Sequence, residues 1–193
     1  VTDQDALHAL AQAVTAAPYV AVLAPDGLDA LTLCDGRACY ALAWAQLGDD
    51  YNAFLRLLFS DRVHKAGHNI KDLMRALLAE GLSTDGFVFD TALAAYLLDA
   101  TAGNYDLPRL AQAYLGGEAP DVQTVWALQP VLREKMDALG MLPLYTDIEL
   151  PLCPVLARME HTGFLVDRKA LYDFGESLTS AIEQLQQLSL IHI

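Results

Sequence analysis

In this chain of 193 residues, three groupings bring together side chains that could do chemistry. His64 and His68 stand four residues apart, a spacing that on one helix face could hold zinc. Here they straddle an expected strand and loop with no third ligand in register, so a surface or half-buried structural role is the better reading. Cys34 and Cys39 flank Asp35-Gly36, a dipeptide that marks a hairpin turn between apolar runs. With those two residues as the turn, Cys34 would face Arg37 and Cys39 would face Thr32, and the thiols would not be directly paired. Cys153 is far away and no Cys-x-x-Cys occurs, so the expectation is buried small hydrophobes. Lys65, Lys71 and Arg75, with Asn69 among them, form a modest basic cluster and are the candidate DNA contacts. An ordinary surface with local charge pairing is the competing reading.

Composition limits what that cluster can do. Acids outnumber bases 25 to 12, giving a formal net charge of −13. That balance argues against this chain, acting alone, gripping a phosphate backbone. A hydrophobic share of 54% with 19% charged residues describes a folded chain of about one domain with a small appendage, not a disordered one. No apolar run reaches the ~18 residues of a membrane span, and no basic segment leads into an apolar one at the start. Neither a membrane partner nor a signal peptide is expected. An odd number of cysteines fits a reducing compartment, so the expected location is cytoplasmic.

The elements that must position these residues can be read from periodicity and punctuation. Thr2 and Asp5 open a capping-box-like start, Leu7, Leu10 and Val14 recur at helical spacing, and Pro18 ends the run. Residues 19–23, 30–34 and 37–42 read as three strands in a meander, the first closed by Pro25-Asp26-Gly27. Asp49-Asp50 caps a helix with Tyr51, Phe54, Leu55, Leu58 and Phe59 on one face. Residues 63–66 and 87–89 are short strand candidates. Between them Asn69 leads into a helix with Ile70, Leu73, Met74 and Leu77 on one face. Asp90 is a natural N-cap for 91–98, and 107–115 is helical up to Gly116-Gly117. From Val122 the pattern is helical, with breaks expected at Pro130, Gly140, Pro143 and Gly163, and Asp167 capping a last helix to about 188. Alternation after a hairpin block predicts an α/β fold with a mixed sheet covered by helices.

Two stretches carry a resemblance. Phe89-Asp90-Thr91, Tyr96-Leu97-Leu98-Asp99, Tyr105-Asp106-Leu107 and Tyr114-Leu115-Gly116 form the first. Glu149-Leu-Pro151-Leu152, Val155-Leu156, Met159-Glu160-His-Thr-Gly163 and Val166-Asp167 form the second. Together with Gly67-His68-Asn69-Ile70-Lys71, which looks like a Gly-x-Asn-x-Lys element, they resemble the bacterial DNA polymerase I family over residues 1 to 188. The resemblance implies a ribonuclease H-like (DnaQ-like exonuclease) α/β fold: a mixed five-stranded sheet with flanking helices, plus a C-terminal helical extension. It implies a 3′–5′ exonuclease-like domain over 1–145 and a helical junction at the start of the polymerase thumb over 146–188. Residues 189–193 do not continue the thumb and read as a truncated or non-native tail. By the resemblance no palm or fingers fall within these residues, so no DNA synthesis is expected of them. The implied partners are the polymerase module of the same parent chain and, through that parent, DNA.

In the family, proofreading uses four carboxylates around two divalent ions, which hold the attacking and leaving oxygens. By the resemblance those positions fall here on Leu23, Pro25, Leu73 and, near Ala119, Gln123. All four ligands read as lost, so no catalytic residue, no resident metal and no cofactor are expected, and Mg2+ or Mn2+ would matter only for residual nuclease activity. The Val125-Trp126-Ala127-Leu128 segment resembles the matching part of large fragments with a dead proofreading site. The expectation is therefore an inactive, structural domain. Three acids are displaced-ligand alternatives. Asp26 reads better as a turn residue. Asp72 is rotated about 100 degrees from the lost position on a helix and reads as a helix-start carboxylate. Asp121 would be one carboxylate without partners. A residual exonuclease built on these acids, or a module holding single-stranded 3′ ends without cutting, are the alternatives.

Overall fold

The centre of the architecture is β1 (Val20–Leu23), a four-residue apolar run with neighbours on both sides. In the computed structural model, which describes residues 1–25, 27–117 and 121–191, five strands lie in the order β3-β2-β1-β4-β5. β1 pairs antiparallel with β2 (Ala30–Cys34) and parallel with β4 (Lys65–Gly67). β3 (Cys39–Ala43) and β5 (Phe87–Asp90) extend the two edges. This is the expected mixed sheet.

Strand side chains alternate between faces, so β1 feeds two separate cores. Val20 and Val22 enter the first, with Leu7, Leu10 and Val14 of α1 (Gln4–Ala16) and the apolar face of α3 (Asp49–Leu58). Ala21 enters the second, with Cys34, Phe89, Ala94 of α5 (Thr91–Leu98), Leu110 of α6 (Leu107–Leu115) and Val125, Leu128 and Leu132 of α7 (Val122–Ala138). A short α2 (Trp44–Leu47) precedes α3, and α4 (Ile70–Ala79) joins β4 to β5. After α7 come α8 (Leu142–Leu144), a π-helical turn Tyr145–Glu149 and α9 (Leu150–Thr162).

Several local expectations change. The first helix is capped by Asp3, not Thr2: Asp3 accepts the Ala6 N–H at 2.8 Å. α3 starts behind Gly48, with Asp49 and Asp50 in its first turn, where carboxylates favour the helix dipole. Pro130 does not break α7, which runs through it. The ring sits on the exposed side, and the buried residues before and after it hold the helix together against a missing hydrogen bond.

The hairpin between β2 and β3 also differs. Its central residues are Gly36 and Arg37, not Asp35 and Gly36, because Asp35 Oδ1 accepts the N–H groups of Arg37 and Ala38 at 2.8 and 2.9 Å. An aspartate doing this occupies the position before the turn. Gly36 takes a positive φ of 84°, and a Cβ there would fall 2.3 Å from the Trp126 ring. The register therefore moves, and Cys34 stands opposite Cys39.

The chain divides into two units, Val1–His161 and Thr162–Ile193. The second consists mainly of α10 (Arg168–Ile191), whose start is capped by Asp167 through the N–H groups of Lys169 and Ala170. Leu171, Phe174, Leu178, Ile182 and Leu185 on this helix are all exposed. Among the described residues no single helix is long and apolar enough to cross a membrane.

Lys65, one of the candidate DNA contacts, is fully buried at 0% exposure and has no surface to offer a nucleic acid. Its ammonium donates to the carbonyls of Leu58, Ser60 and Val63 at 2.8, 2.9 and 2.6 Å, and lies 5.9 and 5.4 Å from the ring centres of Phe59 and Phe87. Gly86 leaves room for it, since a Cβ there would sit 2.6 Å from Nζ. Lys65 thus ties the loop before β4 to the sheet. Burial pushes it down to about 7, against a smaller upward pull from Asp85 and Asp61. Between that value and the ordinary 10.5, the unfolded chain keeps a proton that the folded chain releases. Stability then rises with pH across that window. Chemical unfolding of the wild type and a Lys65→Met variant should show a gap in the wild type's favour that widens from neutral pH toward 10.5. A gap that stays flat would show that the three carbonyls keep the amine charged throughout.

Candidate functional site

β1 delivers Leu23 to the end of the sheet, half-buried against the second core, and the chain then turns through the exposed Pro25. These two residues line a cavity of about 400 Å³ with Thr32, Cys39, Tyr40 and Asp121. Asp121 arrives there as the N-cap of α7, accepting the Thr124 N–H at 3.0 Å. Leu73, on α4, packs instead against the first core. Gln123 is exposed in the first turn of α7. The structure therefore brings Leu23, Pro25 and Asp121 to one cavity and does not place Leu73 or Gln123 in its lining. Asp26 and Ala119 lie outside the described residues.

This donor set does not fit a two-metal centre. Hard divalent cations take carboxylate and carbonyl oxygens. Leucine and proline side chains have no lone pair to offer, and Gln123 has one neutral amide. Asp72 is engaged locally: its Oδ2 accepts the Asn69 side-chain amide at 2.6 Å, and Arg75 lies 3.8 Å from Oδ1. Among the described residues no three His, Cys, Asp or Glu side chains gather where an ion could sit. His64 is exposed, with Nδ1 3.3 Å from the Pro18 carbonyl, while His68 Nδ1 lies 2.8 Å from the Thr91 hydroxyl.

The basic candidates are also committed to other partners. Lys71 donates to Glu160 of α9 at 2.5 Å, and this carboxylate raises its pKa. Arg75 makes an exposed contact with Asp72, the kind of pair that contributes little. Asn69 is exposed but serves the backbone, holding the left-handed conformation (φ 54°) that opens α4. Asparagine tolerates this region better than most residues.

What organises this corner is Asp90. It caps α5 as its sequence position suggests, accepting the Ala92 and Leu93 N–H groups at 2.9 and 3.3 Å. It also accepts the Asn69 and Ile70 N–H groups at 2.9 and 2.8 Å, so the same carboxylate caps α4. Burial pushes the Asp90 carboxyl up, while those main-chain donors and His68 pull it down. The Tyr145 hydroxyl completes the arrangement: it accepts the Asp90 N–H at 2.6 Å and donates to the Asp90 carbonyl at 3.2 Å. Sequence reasoning assigned Asp90 only the local half of this role and missed Tyr145 and Glu160. Local patterning carries no signal for contacts that join segments so far apart in the chain.

Comparison with known proteins bears on the family and the fold. Residues 30–124 match the family model described as DNA polymerase I, ribonuclease H-like domain. The DNA polymerase I of Pseudomonas aeruginosa is 30% identical over 80% of this chain and 22% of its own length. That of Geobacillus stearothermophilus is 31% identical over 69% of this chain and 18% of its own. The chain thus spans about a fifth of the length of these curated relatives. Among solved structures, the POL domain of Pol1 from M. smegmatis in complex with DNA primer-template and dNTP superposes with a TM-score of 0.79 and 25% identity, over 94% of this chain and 35% of that one. Escherichia coli RNase D, with a TM-score of 0.60, 18% identity, and coverage of 81% of this chain and 49% of its own, shares the fold.

Replacing Asp90 with alanine leaves four buried or half-buried N–H groups without their acceptor. Each such loss costs about 1 kcal/mol or more. Urea unfolding of Asp90→Ala should show a loss of about 3 kcal/mol or more. A loss below about 1 kcal/mol would show that the two helix starts do not depend on this carboxylate.

Proposed function

The chain belongs to the family of the ribonuclease H-like domain of DNA polymerase I, and from that premise we propose that it is a proofreading fold without proofreading chemistry. In this reading it acts as a structural support for the polymerase module of the same parent chain. One observation carries it: the positions that the resemblance assigns to the family's metal-binding carboxylates hold hydrocarbon side chains at Leu23, Pro25 and Leu73 and an amide at Gln123. Two-metal catalysis needs ions that hold both the attacking and leaving oxygens. These four residues supply no charge to hold such ions. The net charge of −13, and the commitment of Lys65 and Lys71 to internal partners, weigh against strong DNA binding by this part of the molecule. DNA is met through the parent enzyme, in the cytoplasm of a bacterial cell.

The supporting role draws on surface chemistry. Within the first unit, α9 exposes Leu152, Val155, Leu156 and Met159. Clustered exposed apolar side chains of this kind mark contact surfaces. The relatives continue well beyond the length matched here, and the polymerase module is the occupant the family supplies. The second reading, a residual exonuclease, has one observation in its favour: Asp121 lines the same cavity as Leu23 and Pro25.

Incubation of the chain with an end-labelled single-stranded oligonucleotide, with Mg2+, Mn2+ or chelator, separates the readings. No metal-dependent shortening is expected even at high protein concentration. Chelator-sensitive shortening that persists through repurification and disappears in Asp121→Ala or Asp72→Ala would establish the residual nuclease instead. Removing residues 1–161 from the parent polymerase should lower the melting temperature of its polymerase module. An unchanged temperature would remove the supporting role.

A further inference from the structure

Cys34 and Cys39 stand directly opposite each other on β2 and β3. Main-chain bonds fall at the Asp35–Ala38 and Asp29–Trp44 pairs, and the ladder alternates between them. Cys34–Cys39 is therefore a pair without main-chain hydrogen bonds, the type in which facing side chains approach most closely. Its Cα atoms are expected ~4.5 Å apart, within the range that disulfides span. Facing residues also share one side of the sheet. Cys34 is buried in the second core, while Cys39 is exposed at the rim of the cavity that holds Asp121. Both thiols are free.

We propose that Cys34 and Cys39 form a dithiol that a low-molecular-weight disulfide converts to an intramolecular disulfide across the hairpin. The exposed Cys39, as thiolate, attacks one sulfur of the small disulfide, forming a mixed disulfide and expelling one small thiolate. Cys34, as thiolate, then attacks the Cys39 sulfur, forming the Cys34–Cys39 bond and expelling the second small thiolate. The two cysteine thiols are oxidised, the small disulfide is reduced to two thiols, and the two cysteine protons end on them. Burial, then Cys34, Asp121 and Asp35, push the Cys39 thiol up to about 11, so the exchange runs faster at alkaline pH.

The test treats the folded chain with oxidised glutathione at mildly alkaline pH, blocks remaining thiols with iodoacetamide under denaturing conditions, and digests with trypsin. Trypsin cuts after Arg37, between the two cysteines. The expected result is a fall from three alkylated thiols to one, with peptides 1–37 and 38–56 joined until reduced. The joined species should persist in Cys153→Ser and vanish in Cys39→Ser. Three alkylated thiols, a persistent glutathione adduct on Cys39, or joining through Cys153 or a second copy would each overturn the proposal.

Discussion

Two helices and the sheet edge hang from the carboxylate of Asp90. A helix start leaves four N–H groups without partners, and this side chain answers for two such ends at once. α4, whose first turn carries Lys71, Asp72 and Leu73, is thereby fixed relative to α5. The Tyr145 hydroxyl grips the main chain of the same residue, so the helical segment after α7 is tied to β5. Lys71 and Glu160 then pair across the surface from positions that this buried arrangement has already set. An exposed ion pair of this sort contributes little by itself. Its presence is a result of the geometry rather than its cause.

That frame explains how the fold tolerates the residues at its cleft. A cluster of carboxylates repels itself unless cations neutralise it. Leucine and proline side chains carry no charge, so they neither repel one another nor call for ions. Leu23 adds to the second core and Leu73 to the first, and neither core contains a group whose charge requires a metal. The sheet, its two cores and the capping network are held by apolar packing and main-chain hydrogen bonds among the described residues.

The parts of this arrangement legible in the sequence were those set by short-range physics. The apolar face of α3, the strands around Asp35-Gly36, the α5 cap at Asp90 and the α10 cap at Asp167 all follow from spacing and from side chains acting on their neighbours. The hairpin register was misread by two residues because an aspartate can take the place of a backbone group and shift the turn onward. Lys65 looked like a surface cation because nothing in a strand of alternating residues announces a cage of carbonyls formed by the preceding loop. Pro130 looked like a break because its cost is local while its compensation, packing on the second core, is not. Near the end of β1, short spacing keeps Leu23 and Pro25 together, but only the fold separates Leu73 from the cavity that those two share.

The position of β1 has a kinetic consequence. On one side its partner β2 follows it closely in sequence, and β3 follows β2 through a tight hairpin. On the other side β4 is reached only after α2 and α3, and β5 only after α4. Closing a short loop loses little chain entropy, while parallel pairing must wait for distant segments to meet. The meander can therefore condense on α1 and α3 early and present the open edge of β1 as a template. The parallel half, and with it the Asp90 network, is added to that template afterwards. The last part to assemble is thus the one that fixes the starts of α4 and α5, which makes it the part of the domain whose formation depends on all the rest.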